Sequence, residues 1–104
     1  MSDPTANNPI NGMLPIHPGE LLAEILDDRK MSQAEFARVI GVLPMRISHV
    51  VRGDRPVTAD LALRFGRAFG QSPQMWSSWQ ADYDLKIAQS HLGKDLNRIP
   101  RLAA

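Results

Sequence analysis

Residues 32–53 read SQAEFARVIGVLPMRISHVVRG, which leaves room for only two very short helices, one on each side of Gly41 and Val42. Isolated helices under about 12 residues are marginal in water. Such a pair persists only when neighbouring segments hold it, so this stretch demands a packed helical domain around it. Its punctuation is strong. Ser32 and Glu35 have the spacing of a capping box, in which the serine oxygen takes the Glu35 N–H and the glutamate reaches back. Gly41 can take the left-handed conformation that ends a helix and turns the chain. Pro44 opens the second short helix, which runs to about Arg52 and is closed by Gly53.

The flanking segments supply the rest of a bundle. Pro18 opens a first helix with an apolar stripe of Leu21, Leu22, Ile25 and Leu26. Glu20, Glu24 and Asp28 run down another of its faces, and it is expected to end near Lys30 with cations in its last turn. Thr58 caps a fourth helix whose inner side is Leu61, Ala62, Phe65 and Phe69, and Gly70 closes it. Ser72-Pro73 opens a fifth, with Met75, Trp76, Trp79 and Tyr83 on related turns. No segment shows strand alternation. The expected fold is all-α: a compact five-helix domain over residues 17–90, with the short pair at 32–53 and the last helix at about 72–90. Residues 1–16, rich in proline and asparagine, read as a flexible N-terminal arm. The pattern fades from about His91, and residues 91–104, with Gly93 and Pro100, read as a loose tail.

A chain of 104 residues is enough for one domain with an ordinary core. It has no cysteine, which excludes disulfides, thiolate zinc sites and a cysteine nucleophile. No apolar run approaches the ~20 residues that span a bilayer. Met1 to Gly12 is polar and lacks a charged-then-apolar signal pattern, so a cytoplasmic location is expected. His17, His49 and His91 are scattered, and His17 sits where it can help cap the first helix. They offer no metal-ligand spacing, and neither metal nor cofactor is expected. Asp82 and Asp84 diverge on a helix, Ser77 and Ser78 have no histidine at a neighbouring helical position, and no nucleophile is paired with a base. A binding protein is expected rather than an enzyme.

Charge is distributed unevenly. Residues 1–30 carry five acids (Asp3, Glu20, Glu24, Asp27, Asp28) against Arg29 and Lys30. Residues 31–70 carry six arginines (Arg38, Arg46, Arg52, Arg55, Arg64, Arg67) against three acids (Glu35, Asp54, Asp60). An acidic first helix and a basic middle can serve two different partners. At about 100° per residue, Ile47, Val50 and Val51 of the third helix turn to the core. Met45, His49 and Arg52 point the opposite way, flanked by Arg46 and Ser48. A helix with such a face fits the major groove of B-DNA, where arginine can grip guanine O6 and N7. Met45, Arg46 and His49 are therefore the base-reading candidates. Gln33, Ser48, Arg52 and Arg55 are the candidates for the phosphate backbone. One such unit reads only a few base pairs, so a two-fold homodimer on a palindromic operator is expected. Met75, Trp76, Trp79 and Tyr83 cover more arc than one groove can bury, so part of the arc, with at least one tryptophan, is expected on the core and the rest as the candidate dimer contact.

The stretches SQAEFARVIGV and RISHVVRGDRPVT resemble the helix-turn-helix of the lambda-repressor-like (Xre-type) domains, with Gln33, Ala37, Gly41, Ile47, Ser48 and Gly53 at that motif's usual positions. The flanks PIHPGELLAEIL and LALRFGRAFGQSPQMWSSWQADYDL resemble the HigA (VapI-like) antitoxin family over roughly residues 14–88. One departure stands out. Where that family starts its reading helix with Ser-Arg-Gln-Thr, this chain has Leu43-Pro44-Met45-Arg46, which removes a capping serine and a glutamine that often reads adenine. The resemblance implies the antitoxin of a type II toxin-antitoxin module. Such a protein neutralises a small basic RelE-like toxin that cuts messenger RNA, and it represses its own operon. A basic toxin makes Glu20, Glu24 and Asp28 the candidate toxin-binding surface. A stand-alone Xre-type transcriptional regulator is the alternative, and an adaptor domain without DNA binding is a third reading.

Overall fold

The computed structural model describes residues 15–103. The expected arm, apart from Pro15 and Ile16, lies outside the described residues. Five α-helices follow one another: α1 (Pro18–Asp28), α2 (Gln33–Ile40), α3 (Pro44–Val51), α4 (Ala59–Phe69) and α5 (Pro73–Leu92). A 3-10 helix at Gly93–Arg98 comes last. Among the described residues there is no strand, so the architecture is all-α.

Local chemistry sets most of the boundaries. In α2 the Ser32 hydroxyl accepts the Glu35 N–H at 3.0 Å and the Glu35 carboxylate accepts the Ser32 N–H at 2.9 Å. Hydrogen bonding of the Glu35 carboxyl to the Ser32 backbone first, and to the Ser32 side chain second, holds it below the usual range. Gly41 ends α2 with φ 75°, a left-handed value that an L side chain rarely adopts. Thr58 caps α4 through the Leu61 N–H at 3.2 Å, and Ser72 caps α5 through the Gln74 N–H at 3.2 Å. α1 stops at Asp28, two residues before the expected end. Arg29 is the cap residue and Lys30 takes a positive φ of 54°, so the two cations follow the last turn instead of lying in it. At the other end, α5 continues through Leu92. Gly93–Arg98 then form a short turn with an Arg98–Asp95 ion pair, where the sequence pattern reads as a loose tail. Residues 88–103 are exposed throughout, so no apolar periodicity marks this turn.

Every α-helix contributes to one core. Leu22 and Leu26 of α1, Phe36, Ala37 and Ile40 of α2, and Ile47 and Val50 of α3 meet Leu61, Ala62 and Phe65 of α4 and Trp76 of α5. Each large apolar side chain buried this way contributes about 1.5–3 kcal/mol. Phe36 and Phe69 stack with ring centroids 4.9 Å apart, and Phe65 meets Trp76 edge-on at 5.0 Å. The Trp76 indole N–H donates to the Gln71 side-chain oxygen at 2.9 Å, so its one polar atom is satisfied.

Two devices seat the short pair. Arg64 of α4 donates to the Ile40 carbonyl at 2.6 Å, taking up an acceptor that the end of α2 leaves open. Gly19 lies against the Val50 carbonyl so closely that a β-carbon would stand 1.9 Å from the oxygen. Only glycine permits this approach of α1 to the end of α3.

Candidate nucleic-acid interface

The outward face of α3 carries the residues its periodicity assigns to it. Ile47 and Val50 are buried, and Val51 is half-buried against the core. Met45 is 65% exposed, Arg46 is exposed, and Ser48 and His49 are half-buried. An open depression of about 420 Å³ lies between α3 and the chain leading to α4. Met45, Arg46, His49 and Arg55 line it together with Pro56 and Thr58. The structure thus brings four of the sequence-selected residues to one concavity. Gln33 and Ser48 are not among its lining residues; Gln33 is exposed at the first position of α2. Pro56 and Thr58 were not singled out for this surface. Thr58 shows in the sequence only as the cap of α4, a role that hides its place beside α3.

Arginine dominates the electrostatics. The Asp60 carboxyl is held below its usual range, chiefly by the Arg64 hydrogen bond and to a lesser extent by the charges of Arg64 and Arg46. Arg46 therefore lies within electrostatic reach of the start of α4. Arg52 caps α3 and pairs with Asp54 at 3.2 Å, with both side chains well exposed. It is therefore not the bare cation that the sequence suggests. An exposed pair of this kind contributes about 0–1 kcal/mol, so a stronger anion can displace Asp54.

The α5 candidates separate. Trp76 is 0% exposed and belongs wholly to the core, so it cannot contact a second copy; the helical spacing that grouped it with Trp79 does not say which side meets the core. Tyr83 is half-buried and meets the His17 ring edge-on at 4.9 Å. Met75 is half-buried against the core. Trp79 is half-buried, and its indole N–H donates to the Ile16 carbonyl at 2.9 Å. Met75 and Trp79 still border a shallow surface depression with Ser78 and Asp82. On α1, Glu20, Glu24 and Asp28 are all exposed.

His17 does more than the expected capping. Its Nδ1 accepts the Gly19 N–H at 2.9 Å, which requires a neutral ring with its proton on Nε2. Burial pushes its pKa down. Hydrogen bonding with the Arg55 backbone and the carboxylates of Asp84 and Glu20 oppose that shift.

A profile of the helix-turn-helix family matches residues 22–76, which contain α2, α3, α4 and most of α1. The chain belongs to that family. It is 45% identical over 80 residues to virulence-associated protein I of Dichelobacter nodosus, covering 76% of this chain and 74% of that one. Its fold matches an addiction module antidote protein of the HigA family from Coxiella burnetii with a TM-score of 0.82 and 38% identity. That alignment covers 88% of this chain and all of the other. The Pseudomonas aeruginosa antitoxin HigA, solved with the higBA promoter, matches with a TM-score of 0.82 and 38% identity over 86% of this chain and 99% of its own.

Within this helix-turn-helix, the start of α3 is unusual. Leu43 occupies the cap position in an extended conformation, makes no side-chain cap bond and is 72% exposed. Pro44 takes the first helical position and removes one of the unpaired N–H groups. Leu43→Ser keeps the backbone geometry and adds an acceptor for the first turn. It is expected to raise stability by about 1 kcal/mol, read as a higher urea midpoint at unchanged m-value. A midpoint equal to or below the wild-type value would refute the missing-cap account.

Proposed function

We propose that this chain is the antitoxin of a type II toxin-antitoxin module, which binds an operator through α3 and neutralises a small basic RelE-like toxin that cuts messenger RNA. The carrying observation is the concavity that gathers Met45, Arg46, His49 and Arg55 beside a braced eight-residue helix. The match to a HigA antitoxin solved with its promoter supports the DNA half of the reading.

In this reading Arg46 grips a guanine through O6 and N7, Met45 supplies apolar contact and His49 a hydrogen bond. Gln33, Ser48, Arg52 and Arg55 hold phosphates, with Gln33 aided by the N–H groups at the start of α2. Arg46→Ala is expected to weaken operator binding by about 1–3 kcal/mol and to relax preference at one position per half-site. Electrophoretic titration against an operator and its single-base variants checks this. Wild-type affinity in the variant would remove Arg46 from the reading set.

The operator is taken as a palindrome bound by a homodimer, because a single reading helix gives too little specificity for a genomic site. With Trp76 in the core, the contact surface reduces to the outer stripe of α5 around Met75 and Trp79, with Tyr83 at its edge. Trp79→Glu is expected to give a folded monomer that binds the operator at least tenfold more weakly. Sedimentation at micromolar concentration decides, and a wild-type monomer both free and on DNA would sink the dimer.

The toxin is assigned to α1, whose exposed Glu20, Glu24 and Asp28 complement a basic partner. Glu20→Lys combined with Glu24→Lys is expected to slow association with the small basic protein encoded beside this chain and to leave DNA affinity unchanged. Undiminished neutralisation would eliminate this face. Absence of any such neighbouring reading frame would favour the stand-alone regulator.

A further inference from the structure

Gln80 is a buried polar residue on a helix whose remaining polar side chains are largely exposed, and at 7% exposure it uses both ends of its amide. Its oxygen accepts the Val57 N–H at 2.8 Å. Its nitrogen donates to the Asp84 carboxylate, one turn further along α5, at 3.0 Å. The two bonds fix the amide's orientation, because a flipped amide would set its NH₂ against the Val57 N–H and its oxygen against a carboxylate.

Val57 lies in the segment that joins α3 to α4, two residues after Arg55. Pro56 between them has a fixed φ and no N–H, so Val57 is the next backbone donor along the chain. The upstream part of the same segment is held from α3: the N–H groups of Asp54 and Arg55 both donate to the His49 carbonyl, at 2.9 and 3.3 Å. A second element of α5 backs this region, since Tyr83 meets His17 edge-on and the His17 ring lies against Gly53. Arg55 is therefore held between an anchor on the reading helix and an anchor on α5, with its own backbone also hydrogen-bonded to His17.

We propose that Gln80, oriented by Asp84, is a positioning residue that sets Arg55 for its phosphate, so that α5 controls the DNA-facing segment without touching DNA. This inference rests on the DNA-binding reading of the α3 face. Removing the acceptor leaves a buried N–H without a partner, and the segment must shift or open to water to satisfy it. Arg55 then loses its fixed approach. Phosphate contacts carry no sequence information, so the effect falls on salt dependence and not on base preference.

The test uses a 30-base-pair duplex of random sequence, with binding followed from low to moderate salt and folding followed by circular dichroism. Arg55→Ala is expected to reduce the slope of log affinity against log salt by about one unit. Gln80→Met is expected to give the same reduction, and the two changes together no more than either alone. Gln80→Glu keeps an acceptor but sets it against the Asp84 carboxylate, whose repulsion swings it away from the Val57 N–H, so the slope is expected to fall as in Gln80→Met. Adding Asp84→Asn to Gln80→Glu restores a donor facing an acceptor and is expected to recover the wild-type slope. Gln80→Met with a lowered thermal midpoint but an unchanged slope, or additive losses with Arg55→Ala, would overturn the proposal. Should Gln80→Met fail to fold, the reversed pair decides: a recovered fold with the slope still reduced also overturns it. Wild-type protein that does not bind the duplex overturns the DNA reading and this inference with it, whereas wild-type binding with intact slopes in the Gln80 variants overturns this inference alone.

Discussion

A close approach between helices sits where α1 begins. Gly19 meets the Val50 carbonyl at a distance that admits no β-carbon, which lets the start of α1 rest directly on the end of α3. α3 has eight residues and no side-chain cap, so its orientation must be supplied from outside. Ile47 and Val50 fix the direction of its inner face, and Gly19 fixes how deeply it sits. His17 completes the seat, because its neutral ring caps α1, lies against Gly53 and meets Tyr83. Burial disfavours the protonated ring, so the group that makes the cap also keeps itself in the form that can make it. The few residues that open α1 thus determine where Met45, Arg46 and His49 stand.

The same architecture distributes charge among separate elements. Four exposed acids (Glu20, Glu24, Asp27 and Asp28) lie on α1, and Arg46, Arg52 and Arg55 lie on α3 and the segment that follows it. Between exposed charges, screening at physiological salt acts over about 8 Å, so the two faces can act separately with limited cancellation. Arg64 is the exception. It is committed to the fold through Asp60 and the Ile40 carbonyl, and it closes α2 instead of presenting its charge outward. A count of arginines in the sequence therefore overstates the charge available to a ligand, as the Arg52–Asp54 pair also shows.

Helix existence was legible because it is written in local chemistry. The Ser32 and Glu35 box, Gly41, Thr58 and Ser72-Pro73 act within a few residues of one another, so spacing alone identifies them. The inner face of α3 was legible for a similar reason, since Ile47 and Val50 share one side at any helical pitch. What escaped depends on contacts between distant segments. Trp76 and Trp79 look equivalent on a wheel, yet Phe65 and Phe69 enclose the first and leave the second on the surface beside Ile16. Arg29 and Lys30 suit the end of a helix electrostatically, but the chain turns left-handed at Lys30 and α1 has already stopped. The sequence did not show the role of Gln80, because a glutamine within a helix reads as solvated until the N–H it serves, 23 residues earlier, is placed beside it.

The composition of the reading face explains why these distant anchors matter. On the DNA-binding reading, Arg46 is the one guanidinium at the start of α3, Met45 can offer only apolar contact such as that with a thymine methyl, and His49 is half-withdrawn into the depression. Direct readout by such a face is thin. The remaining affinity must come from phosphate contacts, and the remaining specificity from repetition of the face by two-fold symmetry. Both requirements lead to α5. Its outer stripe around Met75 and Trp79 is the surface proposed for a second copy, and its inner turn holds the segment that carries Arg55. On this reading, a helix that reads no base is the element on which a weakly discriminating reading helix relies.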